Sequence, residues 1–196
     1  MIIPLGRWVL REACRQAKEW QDRYPGSMPT MNVNVSAHQF HHPALIQDVS
    51  DVLEDTGLEP SSLYIEITES VAMEDAPFTA FVFRKLKELG VKLAIDDFGV
   101  GYSSLSYLKR FPVDAIKIDH SIVEGVERDP GNAAIVSAAI TLAHAIDLEA
   151  IAEGVETEGE AAKLRTLGCD FGQGYFWWKP RPAHAAAALL EANLDS

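Results

Sequence analysis

The chain has 196 residues, 47% of them hydrophobic and 9% aromatic, which is enough for one ordinary core and one domain. A formal charge of −12, with no run of Lys or Arg, argues against duplex nucleic acid, whose phosphates reward clustered cations. Cys14 and Cys169 are too few for a disulfide framework and lack metal-finger spacing, so they read as reduced core residues of a cytoplasmic chain. No stretch reaches the roughly 18 apolar residues of a membrane span, although a longer parent protein can still carry an anchor elsewhere.

In chain order, Pro4 lies near the start of a helix expected to run to about Tyr24, with Trp8 and Trp20 in its core face. Residues 31–36 (MNVNVS) read as a strand, and residues 43–56 carry apolar side chains at helical spacing, closed by Gly57. A second strand at 63–68 (LYIEIT) precedes a helix at 78–89, closed by Gly90. The third strand, 92–96, is followed by a short helix at 104–110 and a fourth strand at 115–119 (AIKID). Then come a helix at 132–146, a strand at 149–153 (EAIAE), a helix at 158–167 closed by Gly168, and a last strand at 171–176. Pro182 opens an alanine-rich tail helix. Six short strands alternating with helices predict an α/β chain with a parallel sheet and helices packed outside it.

The tetrad Asp96-Asp97-Phe98-Gly99 closes the apolar run 91–95, so two adjacent carboxylates fall where a buried strand gives way to a loop. Buried carboxylates are normally paired or bound to metal, and two side by side raise each other's pKa unless a cation intervenes. Asn34, Glu66, Asp96, Lys117, Glu153 and Gln173 each fall inside or at the end of a different strand. In a (β/α) barrel, the C-terminal strand ends converge on one mouth. Four carboxylates, Asp97 included, and two amides gathered there offer oxygen ligands of the kind Mg²⁺ or Mn²⁺ prefers, with Lys117 as a built-in cation. Alone, each residue also has a plainer reading: Asn34 as a backbone partner, Glu66 and Glu153 as ion-pair partners of Lys117.

These residues sit in Asn32-Val33-Asn34-Val35-Ser36, Glu66-Ile67-Thr68-Glu69-Ser70, the loop from Asp96 through Gly99-Val100-Gly101 to Ser104, Lys117-Ile118-Asp119, Glu153-Gly154-Val155-Glu156 and Gln173-Gly174-Tyr175. In order and spacing they resemble the successive motifs of EAL domains, the bacterial cyclic di-GMP phosphodiesterases. That resemblance implies a TIM-like (β/α) barrel and hydrolysis of cyclic di-GMP to pGpG, with two divalent ions, Mg²⁺ or Mn²⁺, about 3.5–4 Å apart. It further implies Asn34, Glu66, Asp96, Asp97 and Glu153 as metal ligands, and Lys117, Glu153 and Glu69 as catalytic residues. Within that set Lys117 orients the attacking water and Glu69 holds the loop after Asp96-Asp97. Gln173, Gly99, Gly101 and Ser103 are implied to bind substrate.

Two departures qualify the resemblance. The Glu-Ala-Leu segment that names the family is absent, so the barrel is expected to be incomplete: about six strands, the first two missing, with edges near Val33 and Tyr175. The chain alone is therefore expected to be weak or inactive, with a homodimer or swapped assembly covering the open flank. A degenerate cyclic di-GMP sensor and a protein-interaction module are the alternatives. His120 also stands where the family often has arginine after Lys-Ile-Asp, and all six histidines read as solvated or satisfied rather than ligating.

Overall fold

The computed structural model describes residues 2–25, 30–101 and 105–194. The chain gathers into two compact units. Six strands, β1 (Met31–Asn34), β2 (Leu63–Thr68), β3 (Lys92–Phe98), β4 (Ala115–Ile118), β5 (Glu149–Ala152) and β6 (Phe171–Gly172), alternate with helices as the sequence predicts. The helices are α1 (Ile2–Arg23), α2 (Ala37–Phe40), α3 (Leu45–Thr56), α4 (Glu69–Glu74), α5 (Ala76–Glu88), α6 (Leu105–Leu108), α7 (His120–Val123), α8 (Pro130–Ala145), α9 (Glu158–Leu167) and α10 (Ala183–Leu194).

The first unit comprises Met1–Ile67, Phe81–Lys92 and Pro180–Ser196. Its β1 and β2 pair in parallel, with Asn34 opposite Glu66. Helix α1 lies on β1 and α3 through Leu10, Cys14 and Ala17, a stripe at i, i+4 and i+7. Trp8 stands about 200° around the helix from Leu10, and it is 62% exposed rather than in the core as its size suggested. Trp20, half-buried, lies at the stripe's margin. Phe40 and Phe83 meet edge to face at 5.7 Å, both almost fully buried, and anchor this unit's core. Gly57 (φ 67°) ends α3 in the left-handed conformation that only glycine adopts without strain.

The second unit comprises Thr68–Ala80 and Leu93–Lys179. Here β3, β4, β5 and β6 pair in that order, all in parallel. Every residue of β4 is buried, the pattern of a parallel strand covered on both faces. Two aspartates pin the starts of these strands. Asp114 accepts the Leu93 N–H at 2.8 Å while its own N–H donates to Leu93 O. Asp170 does the same to Ala150, accepting its N–H at 2.8 Å, and also meets His144 Nε2 at 2.8 Å.

Element boundaries differ from expectation at the ends that carry polar residues. Strand β3 runs on through Phe98 instead of stopping at Asp96. Strand β6 stops at Gly172: Gln173 N–H still donates to Ala152 O, but Gly174 then turns tightly onto the Val155 backbone, where a Cβ would collide. Phe83→Ala removes a ring that nothing else can replace, and is expected to cost about 3–5 kcal/mol of stability. A urea midpoint unchanged from wild type would contradict this core.

Candidate metal centre

The centre is built in the second unit from the ends of three neighbouring strands. Pairing of Ile95 with Ile116 sets β3 against β4, and pairing of Ile118 with Ala152 sets β4 against β5. That alignment brings Lys117 in β4 beside Asp96 in β3 and Glu153 just past β5. Lys117 Nζ lies 2.5 Å from Glu153 Oε1 and 3.3 Å from Asp96 Oδ1, and Lys117 and Asp96 are both buried.

Between Ile95 and Phe98 the register with β4 shifts, so Asp96 and Asp97 sit on a bulge. Asp97 has φ 54°, a left-handed conformation that an aspartate tolerates at a cost of about 1–3 kcal/mol. Its N–H donates to Asp96 Oδ1 at 3.0 Å. The bulge turns Asp97 from the strand's alternation, so ligand oxygens of Asp96, Asp97 and Glu153 all lie within 4.8 Å of one another.

Electrostatics show which partner this arrangement fits. Three carboxylates against one ammonium leave a formal charge of −2 in a partly dehydrated space. Burial pushes the Glu153 carboxyl up to about 6, with Asp96 adding to the rise and Lys117 opposing it. Asp97 is raised as well, by burial first and then by the charges of Asp96 and Asp119. Like charges that cannot all ionise freely are what a divalent cation neutralises, and hard oxygen donors are its preferred ligands. The donor set present fits such an ion.

The loop beyond the bulge is held by Glu69, the first residue of α4 and 2% exposed. Its Oε2 accepts the Gly99 N–H at 3.0 Å, and its carboxylate lies 3.3 Å from where a Cβ on Gly101 would stand. Gly99 has φ 104°, and a Cβ there would approach Ile122 Cδ1 to 2.8 Å. Ser103 falls outside the described residues. Beside Glu153, a cleft of about 310 Å³ is lined by His120, Glu156, Gln173 and Tyr175. Gln173 is thus brought to the centre's flank, exposed.

In the first unit, Asn34 and Glu66 are register partners at one end of the β1–β2 pair. Glu66 is 2% exposed, and its Oε1 accepts from Asn32 Nδ2 at 2.6 Å. Sequence reasoning passed over Asn32, although period-two alternation places it on the same face as Asn34. The left-handed Asp97 left no such trace, since nothing in Asp-Asp-Phe-Gly announces which aspartate bulges.

Residues 1–180 match the EAL domain family. The chain belongs to that family. It is 44% identical over 192 residues to the bifunctional diguanylate cyclase/cyclic di-GMP phosphodiesterase MucR of Pseudomonas aeruginosa, covering 97% of this chain and 28% of that protein. Among solved structures, the c-di-GMP complex of the PaMucR phosphodiesterase aligns with a TM-score of 0.91 and 44% identity, over 94% of this chain and 74% of that one. The EAL domain of Mycobacterium smegmatis DcpA aligns with a TM-score of 0.92 and 40% identity, over 98% and 86% respectively. The present EAL chain spans well under a third of MucR's length.

Without metal, Glu153 supplies a pH signature. Its folded-state value of about 6 lies above the ordinary 4.5, so between those pH values the folded chain binds the extra proton. Stability is therefore expected to fall as pH rises through that window, by on the order of 2 kcal/mol from this group. Urea midpoints measured across pH 4.5–6 in EDTA check this. The same series on Glu153→Gln should lack that component of the slope, and an identical slope in both proteins would refute the assignment.

Proposed function

We propose that this chain carries the larger part of a metal-dependent phosphodiesterase centre that hydrolyses one phosphodiester of cyclic di-GMP to linear pGpG. The observation that carries the reading is the excess negative charge around Lys117, in a family whose relative MucR is a cyclic di-GMP phosphodiesterase. Asp96, Asp97 and Glu153 are the proposed ligands from the second unit. The EAL resemblance adds Asn34 and Glu66, for two ions of Mg²⁺ or Mn²⁺. Such ions supply Lewis-acid stabilisation of the charge that develops on the phosphoryl oxygens.

The chain's own groups divide the remaining work. Lys117 Nζ–H donates to the attacking water and aims it, a task suited to a compact ammonium with rotatable donors. Its proton stays on Nζ while Glu153 and Asp96 remain charged beside it. Glu69 keeps the Gly99–Gly101 backbone in place, where absent side chains allow close approach of a phosphate. Gln173 offers an amide to the ligand at the flank of the cleft, where Tyr175, 55% exposed, offers a ring face to a base.

With chain in excess over cyclic di-GMP and Mn²⁺ present, slow single-turnover formation of pGpG is expected by chromatography. Asp96→Asn should reduce that rate by at least about 100-fold, since it removes a direct ligand where losses around ligands already cost 10–100-fold. Nucleotide binding without product would narrow the reading to a sensor. Neither binding nor product would overturn it.

A further inference from the structure

We propose that Glu160 is a positioning residue for the acidic cluster: its buried carboxylate locks the segment that carries Glu153 to the segment that carries Lys117. The inference rests on the reading of Asp96, Asp97 and Glu153 as a metal centre. Glu160 is 3% exposed, and among the described residues no ion pair reaches it. Instead, its two oxygens take three backbone donors. Oε1 accepts the Gly125 N–H at 3.0 Å, and Oε2 accepts those of Glu156 and Thr157 at 2.9 and 3.0 Å. Burial opposes charge on this group, but the three donors outweigh it and hold its pKa below the ordinary value.

Part of this pattern is local. Thr157 Oγ1 accepts the Glu160 N–H at 3.1 Å while Glu160 accepts the Thr157 N–H, the reciprocal capping box that opens α9. A glutamine would serve that box equally well. The bond to Gly125 is not local, and it requires acceptors on both branches of the side chain, which a carboxylate has and an amide lacks. Gly125 closes the turn after α7, on the segment that leaves β4 beyond Lys117, and Asn132 Nδ2 steadies that turn through Glu124 O at 2.9 Å. Glu156 and Thr157 follow Glu153 after Gly154 and Val155. A second tie joins the same two segments: His120 Nδ1–H donates to Gly154 O at 3.2 Å. Glu153 is thereby bracketed, by His120 beside it and by Glu160 behind it. The 2.5 Å contact with Lys117 depends on both segments keeping their spacing.

The test compares wild type, Glu160→Ala and Glu160→Gln by calorimetric titration of the metal-free chain with Mn²⁺, and by amide hydrogen exchange at Gly125 and residues 153–157. Wild type is expected to bind Mn²⁺. Both variants should bind it about 10-fold or more weakly, and both should exchange faster at Gly125, Gly154 and Val155. Glu160→Gln should be the milder of the two, because it keeps the capping box and the fold. A role confined to stability would lower the unfolding midpoint yet leave Mn²⁺ affinity and exchange at Gly154 unchanged, and that result overturns the proposal. If wild type itself takes up no Mn²⁺, the metal reading fails while exchange still decides. Unaltered exchange at residues 153–155 in Glu160→Gln would then overturn the positioning role.

Discussion

A buried ammonium outnumbered by carboxylates is the constraint on which the rest of this structure depends. Lys117 sits in a strand with no exposed residue, where desolvation disfavours its charge unless acids stand beside it. Asp96 and Glu153 supply that compensation from the strands on either side. The supply overshoots: two acids already outnumber one ammonium, and Asp97 joins the same space. An ion-pair network that served stability alone would stop at balance. Burial first, and then the neighbouring charge of Asp96, raises the carboxyl pKa values of Asp97 and Glu153, leaving groups poised to accept either a proton or a cation.

Parallel pairing makes that overshoot possible. Side chains alternate with a period of two, so a slip of one residue between β4 and its neighbours would turn Lys117 away from both acids. The strands are pinned at their starts by Asp114 and Asp170, each reading both backbone groups of a residue on the preceding strand. At the other end the backbone is strained instead at Asp97, which is left-handed, while Gly99 takes φ 104° as glycine can and the loop is held by one buried acid, Glu69. Rigid pairing at one end thus supports the unfavourable backbone and charge at the other.

Most of the architecture was legible from periodicity and punctuation. The α9 boundaries follow from its capping threonine and Gly168, and those of β2 from an apolar and β-branched run broken only by Glu66. Ordered polar residues at strand ends also marked Asp96, Lys117 and Glu153 as one group. What the sequence hid was tertiary. Residue size suggested that Trp8 is buried, yet helical geometry turns it away from the Leu10–Cys14–Ala17 stripe. Glu160 drew no reading from the sequence, because its bond to Gly125 spans 35 residues. The bulge at Asp97 reflects register with β4, information that no local window contains.

These hidden features share a direction. The bulge, the left-handed aspartate, the buried Glu69 and the surplus carboxylate each break a rule that a chain selected for stability alone would keep, and all four fall within one unit, around one cluster. Elsewhere that unit follows the rules closely: covered strands, a capped α9 and aspartates pinning the strand starts. Local conflict concentrated at one place, on a scaffold otherwise consistent from propensity to packing, is the physical mark of a site retained for its chemistry. Binding a divalent cation would remove the repulsion and favour the folded state by mass action. The features that cost this chain stability when empty are therefore the ones that would give a metal its affinity.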